Sequence, residues 1–380
     1  MTKKIIYLDN AATIRTDEKV VREMEKFYLK EYGNPSSAHL LGERAALAMN
    51  KARGKIAREI GAKAWEIVFT SGTTESNNMV FFGLARGELG RKRKKIIISA
   101  IEHSSIIEIC SVLKKEGFEI CEIGVDGKGI LDINKLEKEI DAGVLLVSIM
   151  HVNNEMGVIQ DIGKIGEICR QRGVLFHSDC AQSLGKLKIN AKEMRIDLLS
   201  AGAHKIGGPK GIGLLYIREG IELKPLIYGG GQERGLRGGT ENVPGIAGFA
   251  AAIELSKKAD KEKISDVRDY FISGLEKLGG KINGSREKRM YDNVNVSFPG
   301  IDGENLVLFL SGKGIMCSTG SACENKKKKE SKVLKALGLN EREILGSLRF
   351  CLSEETKKED IDFTLKEIKY FLDMVKNITY

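Results

Sequence analysis

Six short apolar runs, "EIVFTSG", "KKIIISA", "GVLLVSIM", "GVLFHSD", "DLLSAG" and "GIGLLYI", recur through the first two-thirds of the chain with helical patterns between them. Strand-length apolar runs that alternate with helices build βα units, and such units assemble on a mostly parallel sheet. The chain has 380 residues, more than one ordinary small domain, so a large α/β domain with a smaller companion is expected. The stretch from about Ile246 to Leu278 reads as amphipathic and leads out of the sheet domain. Beyond it, "DNVNVSFPGI" and "LRFCLSEET" bracket helical segments in the manner of a smaller α+β domain.

The runs end in polar residues out of keeping with plain connections: Ser71 to Glu75, His103, His151 to Glu155, Asp179 with Gln182, and His204 with Lys205. Ligands of open α/β sheets gather beyond the carboxyl ends of the strands, so these segments are expected to converge on one pocket.

Three of the segments carry a chemical argument. "TSGTTESNN" is a strand, a Gly–Thr–Thr turn and a helix start, where free amides, the helix dipole and the hydroxyls of Thr73 and Thr74 suit a phosphate; a threonine capping its own helix is the other reading. Asp179 follows an apolar strand directly, where a carboxylate is costly unless paired; it would pair with a protonated ring nitrogen or cap the following helix. Lys205 lies among Ser, Ala and Gly in "SAGAHKIGGPKG", held inward for chemistry or reaching out to solvent. Together, a phosphate seat, a buried acid and an inward amine able to form a Schiff base are what a protein supplies to pyridoxal 5'-phosphate.

The segments "YLDNAAT", "YGNPSSAH", "VFTSGTTESNN", "EHSSI", "MHVNNEMGVIQDI", "HSDCAQSLGK", "AHKIGGPKGIG", "GGGQERGLRGGTEN", "CSTGSAC" and "SLRFCLS" occur in order nearly end to end. In them the chain resembles the class V aminotransferase family, and within it the cysteine desulfurases that supply sulfur for iron–sulfur clusters. The resemblance implies the pyridoxal-phosphate-dependent fold type I: a large domain over 15–255 with a mostly parallel seven-stranded sheet, and a small α+β domain formed by 1–14 and 256–380. It implies that Thr73, Thr74, Gly202, His204 and a Thr240 from across a homodimer interface surround the phosphate. Asp179 meets the pyridinium nitrogen, Gln182 the ring oxygen, and His103 stacks on the ring and handles protons. Asn154 touches ring oxygen and substrate, Asn34 lies with the substrate, and Arg349 clamps its carboxylate, for which a guanidinium fork is well shaped. Lys205 is the Schiff-base lysine, and Cys323 in "CSTGSAC" takes sulfur from L-cysteine as a persulfide, releasing L-alanine. The persulfide passes to an acceptor such as an iron–sulfur scaffold protein or a tRNA-thiolation enzyme. The neighbouring readings are a selenocysteine lyase and, in another class, a non-catalytic sulfur-assembly or RNA-binding protein.

Two departures from the family pattern stand out. Gly202 replaces a usual serine, removing one hydroxyl from the phosphate seat, and "ENKKKKES" replaces a short polar segment after Cys323; Lys326 to Lys329 read as a solvated run with affinity for an acidic partner. Cys317 reads as structural, and no metal site is expected, because no His or second thiol pair accompanies it.

Composition narrows the partners. With 42% hydrophobic residues, 30% charged residues, 43 glycines and five prolines, the chain reads as a soluble globular protein. A net charge of +9 does not make nucleic acid the expected main partner, because lysine-rich surfaces are common and nucleic-acid binders usually concentrate their charge on one face. "VLLVSIM" and "IAGFAAAI" fall short of the roughly 20 residues that cross a membrane, and the start lacks a secretory core. Seven scattered cysteines without a pairing rhythm point to a reducing, cytoplasmic setting.

Overall fold

The computed structural model describes residues 4–320 and 331–378; Cys323 and Lys326 to Lys329 lie outside them. A short strand β1 (Ile6–Tyr7) precedes the sheet strands β2 (Ile67–Thr70), β3 (Lys95–Ser99), β4 (Glu119–Ile123), β5 (Val144–Ser148), β6 (Leu175–Asp179), β7 (Leu198–Gly202) and β8 (Gly213–Ile217). These seven lie in the order β2-β8-β7-β6-β5-β3-β4. β8 runs antiparallel to both its neighbours, and the remaining pairs are parallel. The six apolar runs are six of these strands. β5, β7 and β8 are buried along their whole length, as expected of strands covered by helices on both faces.

β4 is the strand that carries no such run. It is the sheet edge, "EICEI", with Glu119 and Glu122 exposed and only Ile123 buried; charges on an edge deter pairing with another chain and erase the apolar signature.

Five further strands follow: β9 (Lys281–Ile282), β10 (Asn293–Ser297), β11 (Ile315–Met316), β12 (Ser318–Thr319) and β13 (Ser347–Cys351). β12-β13-β10-β9 form a second, antiparallel sheet, while β11 pairs in parallel with β1. Ile6 and Leu8 therefore join a separate core with Phe271, Val294, Leu310, Phe350 and Ile368, whereas the large sheet buries its two faces in cores around Ile97 and Phe249 and around Phe81 and Leu145. Lys186 beyond β6 and Asp292 beside β10 form a buried ion pair at 2.8 Å between the two parts. Burial alone would lower the Lys186 pKa, but Asp292, with Cys351 and Tyr291, raises it above the ordinary lysine value.

The single amphipathic stretch expected over Ile246 to Leu278 is two helices, Val243–Ser256 and Lys261–Lys277. The first is buried on nearly all sides against helices Glu18–Leu29 and Leu40–Glu59, so its apolar character is not confined to one stripe. The second begins where Asp260 accepts the Lys263 amide.

Candidate active site

Aspartates at 17, 132, 161, 260 and 302 each cap a helix by accepting a backbone N–H, a contact that contributes about 1 kcal/mol. The helix Thr73–Ala85 starts differently. Its N-cap is Gly72, and no side chain caps it. The first amides at the carboxyl end of β2 are thus left to an external acceptor, and the self-capping reading of the threonines does not hold. Gly202, the last residue of β7, faces this turn: a Cβ there would come within 3.0 Å of Thr73 Oγ1, so the missing side chain keeps room beside the threonine hydroxyl. His204 follows, its Nδ1 3.2 Å from Thr13 Oγ1. Burial, then Lys205 and Lys210, push its pKa down to about 4, so the ring is neutral at ordinary pH.

Asp179 ends β6 and is 4% exposed. Its Oδ2 accepts from Asn77 Nδ2 at 2.9 Å and its Oδ1 from Ala181 N at 2.9 Å. One oxygen therefore braces the following turn, while the other is held by a side chain from the helix Thr73–Ala85. Asn77 Nδ2 also reaches Ser105 Oγ at 3.0 Å, and Ser105 joins His103: its backbone N–H donates to His103 Nδ1 at 3.1 Å. That donor assigns the proton of the neutral ring to Nε2. Burial lowers the His103 pKa and Lys205 adds to this, with Asp179 opposing.

Lys205 closes the other side. Its Nζ donates to the carbonyls of Ala11 and Ala12, the latter at 2.8 Å, and Gln182 Nε2 shares the Ala11 carbonyl at 2.9 Å. Arg349 projects from β13 at 1% exposure. Its Nη2 donates to Asp9 Oδ1 at 2.7 Å and its Nη1 to the Asn154 carbonyl at 3.1 Å, while Nε is buried without a hydrogen-bond partner among the described residues. A guanidinium has five N–H donors, so an anionic ligand still finds a free edge.

The structure thus brings Thr73, Thr74, Gly202, His204, His103, Asp179, Gln182 and Lys205 to one end of the large sheet, with Asn154 and Arg349 joined to each other. Asn34 and Thr240 stand apart. Asn34 is exposed, its Oδ1 taken by Ser36 N at 2.9 Å. Thr240 is also exposed and makes no hydrogen bond to the Thr73 turn among the described residues. Asn77, Ser105, Asp9 and the Ala11 carbonyl were not singled out from the sequence. "YLDNAAT" and "TTESNN" contain three of the four, but only the fold shows which atoms point inward.

Pyridoxal phosphate, which the resemblance implies, fits this donor set. The uncapped amides and the open space at Gly202 suit its phosphate, and the braced Asp179 suits its ring nitrogen. The described cysteines offer no competing nucleophile: burial pushes Cys110, Cys169, Cys180 and Cys317 up to about 12 and raises Cys121 and Cys351 as well.

Known proteins match nearly the whole chain. The family model "Aminotransferase class-V" matches residues 6–363. The cysteine desulfurase IscS of Dictyoglomus turgidum is 43% identical over 382 residues, covering 99% of this chain and 97% of its own. A solved NifS-like protein superposes with a TM-score of 0.92 at 39% identity, covering 98% of this chain and 100% of that one. SspA, solved in complex with cysteine, gives a TM-score of 0.84 at 36% identity over 94% of this chain and 100% of its own.

Proposed function

The chain belongs to the class-V aminotransferase family and is a cysteine desulfurase dependent on pyridoxal phosphate, and from that premise we propose which of its residues carry the reaction. The observation that supports the assignment best is the uncapped helix start at Thr73 facing Gly202, with His204 and Lys205 next in the chain.

Backbone amides and hydroxyls of Thr73 and Thr74, with the neutral His204, hold the phosphate. Asp179, kept in place by Asn77, accepts the hydrogen bond of the ring nitrogen, and Gln182 serves the ring oxygen. When bound, the cofactor supplies an aldehyde for amine attachment and an electron sink that weakens bonds at the substrate α-carbon. Lys205, whose Nζ rests on the Ala11 and Ala12 carbonyls, would hold the cofactor through its amine and would serve as the base for the substrate α-proton. Arg349 binds the substrate carboxylate through its free edge, with Asn154 and Asn34 beside it. His103 presents Nε2 for proton exchange with the substrate.

Cys323, as thiolate, attacks the substrate sulfur. The carbon–sulfur bond breaks, the sulfur stays on Cys323 as a persulfide, and alanine leaves. Ser318 pairs directly with Arg349 across β12 and β13, and Cys323 is five residues farther on, a span of at most about 18 Å of extended chain. The persulfide then serves an acceptor protein such as an iron–sulfur scaffold. The working unit is a homodimer in which Thr240 completes the partner's phosphate seat, and the setting is the cytoplasm.

Incubation with cofactor and cysteine tests the assignment. The wild type is expected to form a yellow, borohydride-fixable adduct and release alanine; Lys205→Ala is expected to lose both. A Lys205→Ala protein that still released alanine at the wild-type rate would remove Lys205 from the chemistry.

A further inference from the structure

Immediately before His103 stands a carboxyl group that the proposed reaction does not use. Glu102 is 2% exposed, in the turn that leaves β3. Its Oε1 accepts from Ser99 Oγ and from the Met150 amide, the latter at 2.8 Å. Its Oε2 is buried and has no hydrogen-bond partner among the described residues, and no ion pair reaches the group there.

We propose that Glu102 is a positioning residue that works as a neutral acid, tying the His103 turn to the Met150 backbone without setting a second carboxylate charge beside Asp179.

A buried carboxylate needs donors on both oxygens or a cation. Glu102 has two donors on one oxygen and none on the other. Protonated, it leaves only one hydroxyl idle, a smaller cost than an unpaired buried charge. The titratable groups facing it work in the same direction. Asp179, at the end of β6, repels a second negative charge, and the Cys110 thiol on the helix Ser104–Lys115 is itself held neutral by burial. Burial is the largest influence, against the opposing Ser99 and Met150 hydrogen bonds, and carries the Glu102 pKa up to about 8.

The same geometry defines what the acid positions. Two consecutive amides beyond β5 divide their bonds: Met150 N goes to Glu102 Oε1, and His151 N goes to the Asp179 carbonyl at 3.0 Å. The turn carrying His103, the turn carrying Asn154 and the end of β6 carrying Asp179 are thereby held in one frame. The protonation state follows from this frame alone; the benefit to His103 and Asp179 rests on the site assignment above.

Cofactor-free protein allows a direct test, with thermal unfolding of wild type, Glu102→Gln and Glu102→Ala followed from pH 5 to 9. The unfolded chain gives up this proton near pH 4.5 and the folded one near 8, so the Glu102 contribution to wild-type stability falls as pH rises between those values, a component that Glu102→Gln lacks. The midpoint of Glu102→Gln minus that of wild type is therefore expected to climb with pH up to about 8 and then level. The wild type is also expected to show an acid C=O infrared band at pH 6 that Glu102→Gln lacks. In the loaded enzyme at pH 7, Glu102→Gln keeps wild-type kcat/KM, whereas Glu102→Ala loses roughly tenfold, mostly in kcat. A midpoint difference independent of pH, an absent acid band, or equal kinetic losses in both variants would overturn the proposal. The unfolding and infrared series require no activity, so a failed site assignment leaves their outcome readable.

Discussion

Asn77 shows what the chemistry of this site requires beyond its reacting groups. A carboxylate that is to hold a protonated ring nitrogen has to stay aimed at it, and Asn77 donates to Asp179 Oδ2 while also holding Ser105, the partner of His103. Hydrogen bonds to charged groups contribute about 1.5–3 kcal/mol, so Asn77→Ala is expected to weaken cofactor binding by roughly tenfold to a hundredfold, read by titrating the cofactor absorbance. Unchanged affinity would show that Asp179 holds its position without this brace. Asp179 and Lys205 are legible in the sequence because a charge at the end of an apolar run asks for an explanation. Asn77 is not, because its neighbour Asn78 is the same residue type and bonds back to the Thr74 carbonyl at 2.8 Å. Only the helix phase, fixed by packing, separates the inward asparagine from the outward one.

At the scale of elements, the central strands are joined through polar groups as well as ladders. His177 on β6 lies 2.8 Å from Ser148 Oγ on β5 and 3.0 Å from Ser200 Oγ on β7. Burial pushes its pKa down to about 3, and that of His151 down to about 4. Both rings are folded in as neutral groups, so the unfolded chain takes up their protons first on acidification. Their contribution is complete above pH 6.5 and is lost as pH falls toward 4 and 3, at up to about 1.4 kcal/mol per pH unit for each ring. Glu102 opposes this with one group of similar slope, while His204, also held down at about 4, adds to it, leaving a net loss of stability below pH 6. Urea unfolding at pH 7, 6 and 5 measures it; a gain in stability on acidification would contradict the account. Element type was legible where burial on both faces produced continuous apolar runs, as in β5 and β7. It was not legible in β4, whose edge position mixes Glu with Ile, nor at the boundary near Asp260, where two helices of different burial share one apolar stretch.

For the molecule as a whole, we propose that function depends on two cores meeting at one site. Residues 15–255 supply the cofactor groups, and the part formed by 1–14 and 256–380 supplies Arg349 and Cys323. Contacts between these parts are polar and apolar: Arg349 donates to the Asn154 carbonyl, Lys186 pairs with Asp292, and Ile101, Met150, Met156 and Val158 pack with Val333 and Leu337. The sequence announced a two-part chain through its change of pattern near Ile246, but the return of the N-terminus to the second core, through the pairing of β1 with β11, depends on contacts 309 residues apart, Ile6 with Ile315, that no local pattern records. The central claim is that sulfur taken at the first part is carried by a thiol of the second. Its most direct test is the intact mass of the peptide containing Cys323 after the loaded enzyme meets one equivalent of cysteine without reductant. We predict one added sulfur on that peptide in the wild type, and in Cys323→Ser a retained yellow cofactor with no added sulfur. An unmodified Cys323 peptide alongside stoichiometric alanine would contradict it.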